Sequence, residues 1–268
     1  VRNDAILGNA AHSAGGLSLS ATKRDVAAFM ADPATGDPRS DVYLAKSSSG
    51  AGGSKVGIAG SVALNLLDTQ SIARVSGAAT LAISGTGAVS MVTDNQTNAT
   101  AEALPVGAGA AGATVGIGAS VAINILANRS LAEIANGGVV TGAGDLTVAA
   151  VATHVAVTKA EAGSAGGVSI TPALALSMIN NTTTARLGTG ATQTVTGKVD
   201  VSAAQSSTIT TEASGKAAGS KAAIGAALAL ALIDDRALAT TERNITATGA
   251  VSFTASGISD SKLTAVAS

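Results

Sequence analysis

The most suggestive residues for chemistry in this chain are Asp234 and Asp235, its only adjacent pair of carboxylates. Glycan hydrolysis on a β-helical scaffold uses two carboxylates on one face, so this pair is a candidate for acid–base catalysis. In the repeat alignment described below, however, the position of Asp234 is occupied by Asp68, Ala127 and Asn180. A position that accepts Asp, Asn and Ala is typical of a turn, and we predict a turn there and not a catalytic site.

The remaining candidates for catalysis are few. His12 and His154 are the only histidines, and neither has the sequence spacing of metal ligands. His154 stands in an alternating run, which predicts a structural or surface residue on the polar side of a strand. No serine lies in a GxSxG context, and the glycine-rich run 107–118 lacks the GK[ST] of a phosphate-binding loop.

Calcium is the most plausible metal for an exported β-solenoid. Asp145, in GAGDLTV, resembles half of a calcium-binding turn. The sequence contains neither the nonapeptide GGxGxDxUx nor a DxDxDG loop. We therefore predict no catalytic residue, no bound metal and no cofactor, and retain calcium as the alternative.

Composition restricts the remaining functional classes. Hydrophobic residues make up 46% of the chain and mean hydropathy is +0.41, which excludes disorder caused by low hydrophobicity. Aromatic residues are only 1%, so the core must be thin and filled by aliphatic side chains. The net charge of −1, without a basic cluster, argues against nucleic acid as a partner. The absence of cysteine favours an exported protein, and the longest apolar run, residues 222–233, is too short for a membrane helix.

An internal repeat organises the chain. KVGIAGSVALNLLD returns as TVGIGASVAINILA, GVSITPALALSMIN and KAAIGAALALALID, at steps of 59, 53 and 54 residues. The anchors of these copies are Val56, Val115, Val168 and Ala222. Alanines further along the copies align as two sets: Ala63, Ala122, Ala175 and Ala229, and Ala73, Ala132, Ala185 and Ala239. Repeats of this kind indicate stacked supersecondary units.

A second, shorter phrase recurs once in each repeat. It reads GAVSMVT, GDLTVAA, GKVDVSA and GAVSFTA, and its strict alternation predicts a strand. Its glycines are expected to occupy a turn or a corner with positive φ: Gly87, Gly144, Gly197 and Gly249. We divide the chain into residues 1–50, a degenerate first repeat or irregular end, and residues 51–268, four repeats forming one continuous β-repeat array.

The longer phrase is also predicted to be a strand, because its copies contain Gly, Ser, Pro172 and β-branched residues that disfavour a helix. One side of this strand is bulky, as in Val115 and Ile117, and we expect it to face the core. The other side is small, and we expect it to approach another strand or a second copy of the chain closely. The residues of this possible self-association face are Gly57, Ala59, Ala63, Gly116, Gly118 and Ala122.

These patterns predict an all-β protein built as a repetitive parallel β-solenoid, or β-helix, rod; the alternative is an array of two-layer β units. At roughly 18–25 residues per coil, each repeat would supply two or three coils. About twelve coils at about 4.8 Å each would then form a rod on the order of 60 Å long.

The phrases TVTGKVDVSA, ITATGAVSFTASG and VGIGASVAINIL resemble the β-strand repeats of very large exported bacterial surface proteins of the filamentous-haemagglutinin type. The resemblance covers roughly residues 15–268, and residues 21–41 depart most from the pattern. It implies an elongated β protein, secreted or attached to the bacterial cell surface, that acts in adhesion, biofilm or filament structure. It transfers no catalytic residue.

The leading functional hypothesis is a non-enzymatic extracellular structural protein, a segment of a β rod or filament that serves as stalk, matrix or surface fibre. Its expected partners are other copies of itself, laterally or end to end, and host or matrix glycans. One alternative is a ligand-binding adhesin module that recognises glycans or surfaces. A second alternative is a carbohydrate-active β-helix enzyme, which would need aromatic platforms and a unique carboxylate cluster.

Overall fold

The computed structural model describes residues 1–23 and 42–268, and every regular element in this part of the chain is a β-strand. The all-β prediction is confirmed. Most of the divergent stretch 21–41 lies outside the described residues. The strands are β1 (Arg2–Leu7), β2 (Ala11–Ala14), β3 (Leu17–Lys23), β4 (Val42–Gly53), β5 (Val56–Val75), β6 (Thr80–Ile83), β7 (Val89–Ile134), β8 (Val139–Thr141), β9 (Leu146–Leu187), β10 (Gln193–Val195), β11 (Val199–Thr241), β12 (Ile245–Ala247) and β13 (Val251–Ala267).

All strand pairs in the described residues are parallel, and they join each repeat to its neighbours. Val115 of β7 pairs with Val56 of β5 on one side and with Val168 of β9 on the other, and Val168 pairs with Ala222 of β11. The structure is therefore a parallel β-solenoid, as predicted. Each repeat forms one coil, so the prediction of two or three coils per repeat is wrong.

Each coil is a flattened loop because its long strand folds back on itself. In β9, residues 146–162 form a first arm, residues 163–167 a bend and residues 168–187 a second arm. The arms face each other, since Thr158 of the first hydrogen-bonds Ser177 of the second at 2.7 Å. β7 and β11 divide in the same way; β3, β4 and β13 are first arms, and β1 and β5 are second arms. A short strand such as β10 then closes the coil before the next first arm begins.

The interior tapers from one end of the coil to the other. Beside the short strands it is filled by large aliphatic side chains, among them Leu81, Met91 and Leu187. The middle contains Leu126, Ile179 and polar side chains. Next to the bend the buried hydrophobic residues are all alanine, and they lie among small polar residues such as Ser164 and Thr171: Ala63, Ala101, Ala103, Ala122, Ala160, Ala162, Ala173, Ala175 and Ala213. The two arms thus approach each other too closely for an aromatic ring, which explains a core almost free of aromatic residues.

The proportions differ from the predicted rod. Five first-arm layers stack at about 4.8 Å each, which gives a height of about 24 Å. One arm of about 20 residues spans up to about 66 Å. The described chain is therefore a slab, broader than it is high, and the predicted length of about 60 Å along the solenoid axis is wrong.

The repeated glycines before each first arm form a hydrogen-bonded column. The N–H of Gly144 donates to the carbonyl of Gly87, that of Gly197 to Gly144 and that of Gly249 to Gly197, each at 2.9 Å. Their φ angles are not positive, so the expected reason for glycine is wrong. A Cβ on Gly144 would lie 2.2 Å from the carbonyl oxygen of Thr86, and close stacking of the coils is what requires glycine here.

Arg243 stabilises the corner that follows the second arm. Its buried guanidinium donates to the carbonyl oxygens of Gly188 at 2.5 Å, Gly138 at 2.8 Å, and Ala135 and Thr189 at 3.2 Å. These carbonyls belong to the corners of successive coils, so one side chain ties several coils together. Burial lowers the pKa of Arg243, and the carbonyl dipoles compensate part of that desolvation.

The side of the second arm that faces the interior is the small one. Ala122 is fully buried, Gly116 and Gly118 are buried, and Val115 and Ile117 lie on the outer surface. The prediction that the bulky side faces the core is therefore wrong. A bulky inner side would hold the arms apart, whereas Ala, Gly, Ser and Asn let them touch.

This close contact predicts that Gly118→Ala destabilises the fold by about 1–3 kcal/mol, because the new methyl group overpacks the interior. A Cβ at residue 118 would lie 2.1 Å from the carbonyl oxygen of Gly163, across the interior. Gly60→Ala is the matched control, since its Cβ would point outward with its nearest neighbour at 3.8 Å. Urea unfolding of both variants measures the difference. Equal stability of the two variants would contradict the close approach of the arms.

Candidate functional site

Asp234 and Asp235 point to opposite sides of the second arm and do not form a carboxylate pair. Asp234 lies outside and pairs with Arg236 at 2.9 Å. Asp235 points inward, where its carboxylate accepts hydrogen bonds from Asn181 Nδ2 at 2.7 Å and Ser207 Oγ at 2.5 Å. The position of Asp234 lies within strand β11, as that of Asp68 lies within β5, so the predicted turn is wrong.

Asp235 ends an interior ladder of polar side chains. Thr69 Oγ1 donates to Asn128 Oδ1 at 2.6 Å, and Asn128 Nδ2 donates to Asn181 Oδ1 at 2.7 Å. Asn181 then donates to Asp235. These four residues occupy one register position in four successive coils. The ladder supplies buried amides with partners and so removes most of the cost of burying them.

His154 lies opposite this ladder in the first arm, in register with Thr97 and Ser207. It is 2% exposed, and burial lowers its pKa to about 4; the charge of Asp235 opposes this shift and that of Lys23 adds to it. His154 is therefore neutral at physiological pH and closed off from solvent. A histidine in this position fills the interior and has no route to a substrate.

Glu133 forms the most deeply buried ion pair among the described residues. It lies between Arg74 and Arg186 of the neighbouring coils, and a carboxylate oxygen is 2.5 Å from the Nε of each arginine. The side chain of Glu133 is 1% exposed, whereas the arginines are about one-third exposed. The three residues share one register position, so the charges alternate along the stack and hold the coils together.

Asp145, the predicted calcium ligand, forms a hydrogen bond to the backbone of the neighbouring coil. Asp145 Oδ1 accepts a hydrogen bond from the backbone N–H of Lys198 at 2.9 Å, across the corner of the next coil. Within residues 1–23 and 42–268, no group of three His, Asp or Glu side chains is arranged to hold a metal ion. The other predicted histidine, His12, lies in the short strand β2, where its Nε2 is 3.2 Å from the carbonyl oxygen of Gly8.

The predicted self-association face lies inside the coil. Gly57, Ala63, Gly116, Gly118 and Ala122 are buried, and Ala59 is partly buried. Added Cβ atoms on the glycines of this set would collide with backbone of the same chain. These residues therefore face the interior of the coil.

The outer side of the second arms forms a broad apolar surface, which we call the apolar face. In the four coils it consists of 24 outward positions without one polar side chain. They are Val56, Ile58, Gly60, Val62, Leu64 and Leu66; Val115, Ile117, Ala119, Val121, Ile123 and Ile125; Val168, Ile170, Pro172, Leu174, Leu176 and Met178; and Ala222, Ile224, Ala226, Leu228, Leu230 and Leu232. Leu66 is 72% exposed and Ile58 is 66% exposed. Alternation in the sequence identified this side as bulky but did not identify it as outer.

The apolar face ends in a groove of about 740 Å³ that runs across the four coils. Its wall is formed by Leu66, Ile125, Met178 and Leu232, and Asp68 and Asp234 lie at its two ends. The outer side of the first arms differs, since it carries Ser, Thr, Asn and ion pairs such as Lys262–Glu212 at 3.0 Å together with valines such as Val151 and Val155. The slab therefore has one mixed, largely polar broad surface and one apolar broad surface.

Comparison of the chain with protein-family models, curated proteins and solved structures gave no match. Within the described residues, no helix has the length and apolar character needed to cross a membrane. The candidate functional site is therefore defined by geometry, and the geometry singles out the apolar face.

The burial of His154 predicts a stability that falls with acidity. Its pKa is about 4 when folded and about 6.5 when unfolded, so the unfolded state binds the extra proton between these values. The contribution of neutral His154 to the free energy of unfolding is therefore present above pH 6.5 and is lost as the pH falls. The free energy of unfolding should decrease by about 2 kcal/mol between pH 7.5 and pH 5. Urea unfolding across this range should show His154→Thr with a flatter profile than wild type. His12→Ala is the control, and an unchanged slope in His154→Thr would refute the prediction.

The Glu133 ion pair predicts a large effect from an isosteric substitution. Glu133→Gln removes a charge that two arginines surround and should lower the free energy of unfolding by about 2–3 kcal/mol. Glu161→Gln is the matched control, because Glu161 pairs with Lys159 at 2.9 Å where both side chains are about one-third exposed. That variant should lose less than about 0.5 kcal/mol. Equal losses, measured by urea unfolding, would contradict the special role of Glu133.

Proposed function

We propose that this chain is a segment of a non-enzymatic structural protein of the bacterial exterior, secreted or attached to the cell surface. The observation that carries the proposal is the one-coil-per-repeat stack, in which each repeat supports the next through in-register ladders. Because each coil contacts only its neighbours, further coils of the same kind can be added to such a stack, which suits a stalk, a matrix or a surface fibre.

The location of the polar side chains supports the same proposal. Asn181 and Asp235 are hydrogen-bonded to each other inside the coil, His154 is buried opposite them, and Glu133 joins coils together. A catalytic group must reach a substrate, and these groups face one another. The proposal also agrees with the resemblance of the repeat phrases to those of filamentous-haemagglutinin-type proteins.

Localisation and lack of catalysis are tested separately. Antibodies against the folded chain should label intact cells of the source bacterium, and mild proteolysis of those cells should remove the label. Labelling only after lysis would overturn the exterior location.

Incubation with a panel of polysaccharides should release no new reducing ends. Release that disappears in Asp234→Asn, a residue type already present at Asn180 in the same register, would overturn the structural role.

An adhesin that binds glycans is the second candidate, and the polar outer side of the first arms favours it. A row of hydroxyl side chains, formed by Ser18, Ser90 and Thr147 in three adjacent coils, faces outward there. A glycan array probed with the chain would distinguish the two functions. Saturable binding that is lost when these hydroxyl residues are replaced by alanine would favour the adhesin, and no binding would favour the stalk or matrix.

A further inference from the structure

The apolar face has the dimensions of a protein interface. Each second-arm segment contributes 11 residues, or about 36 Å, and four strands span about 19 Å, which gives about 700 Å². The largest apolar patch on a typical monomer is about 300–600 Å². Two such faces in contact would bury about 1,400 Å², within the range of about 1,200–2,000 Å² found for stable interfaces.

Charges at the two ends of the face are arranged to complement one another. Lys55 and Lys221 stand just before the first and the last of its four strands, and Asp68 and Asp234 stand just after the same two strands. All four are exposed. The two central strands carry no charge at either of these positions. The first strand of the face is thus basic at its start and acidic at its end, and the last strand repeats this pattern with Arg236 beside Asp234 at its end.

We propose that a second copy of this chain covers the apolar face, related by a twofold axis that runs along the solenoid axis. This axis reverses the strands and keeps the order of the coils. Lys55 then lies over the partner's Asp68, and Lys221 lies over the partner's Asp234, so the interface gains four attractive pairs. The other face-to-face arrangement has its twofold axis parallel to the strands. It places lysine over lysine and aspartate over aspartate, so charge repulsion disfavours it.

The shape of the face fits the same arrangement. A column of small residues, Gly60, Ala119, Pro172 and Ala226, crosses the four strands. With Lys55 over the partner's Asp68, residue 60 faces position 63 of the partner, so the small column lies opposite the space between the bulky columns of Val62 and Leu64. The column Val56, Val115, Val168 and Ala222 faces position 67 and so lies opposite the groove beside Leu66. Ridges then meet hollows, as in the packing of two sheets about 10 Å apart.

Sedimentation velocity and light scattering of the 268-residue chain, from 0.1 to 50 µM, test whether the face self-associates. We expect a dimer. Ile117→Lys and Leu176→Lys, each on a central strand, should shift it to monomer by raising the dissociation constant at least about tenfold, while circular dichroism stays β-rich. Thr153→Lys, on the outer side of a first arm, is the control and should remain dimeric. A monomer of the unmodified chain at 50 µM would overturn the proposal, as would a dimer that both lysine variants leave intact.

A charge exchange tests the orientation without placing lysine in the apolar face. The double variant Lys55→Glu and Lys221→Glu should dimerise about tenfold more weakly, and so should Asp68→Lys with Asp234→Lys. Mixing the two double variants restores all four attractive pairs, and a heterodimer should form with an affinity close to that of wild type. Failure of the mixture to recover would overturn the antiparallel arrangement.

Other occupants of the face give different results in the same experiments. A chain that is monomeric alone and binds to phosphatidylcholine vesicles, with binding lost in Ile117→Lys, would assign the face to a lipid surface and overturn the proposal. This inference rests on the fold and not on the proposed function. A monomeric chain that still labels the cell exterior would refute only the dimer.

Discussion

The close approach of the two arms within each coil is the constraint on which the rest of this structure depends. Thr93 and Ser130, on opposite arms, are hydrogen-bonded through their hydroxyl groups at 2.8 Å. Next to the bend only Gly, Ala, Ser, Thr and Asn fit between the arms, the middle admits a few larger residues such as Leu126 and His154, and the end that holds the short strands contains most of the large aliphatic side chains. A thin interior of this kind buries little apolar area per residue, so packing alone stabilises it weakly.

Register between coils provides the missing stability and specificity. Because identical or similar residues stack at about 4.8 Å, amide and hydroxyl side chains can continue from coil to coil. The ladder from Thr69 to Asp235 and the alternation of Arg74, Glu133 and Arg186 are two forms of this device. A slip of one residue would bury the outward charges and break every ladder at once, and so the stack is strongly specified.

The thin interior also determines which side of the slab is apolar. Residues too large for the interior, such as the isoleucine column that includes Ile117 and Ile170, are turned outward and remain apolar. A sheet with one solvated side usually has polar residues on that side, and the first arms here carry Ser, Thr, Asn and charged residues there together with a few valines. The apolar second arms are the surface that the proposed dimer would bury, and the positions of Lys55 and Asp68 at opposite ends of the outer strand agree with an antiparallel copy.

The sequence by itself determined that the chain is an all-β parallel solenoid and which positions of successive repeats correspond to one another. Each of these follows from local alternation and from repetition, which Val56 and Val115 show directly. It did not determine the number of coils per repeat or which side of the strand faces inward. Alternation separates two sides, but both sides of VGIGASVAINIL lack charge, and the choice depends on how closely the arms approach. That distance is set by the bend between the arms and by contacts across the coil, such as Thr158 with Ser177, which only the tertiary structure brings together.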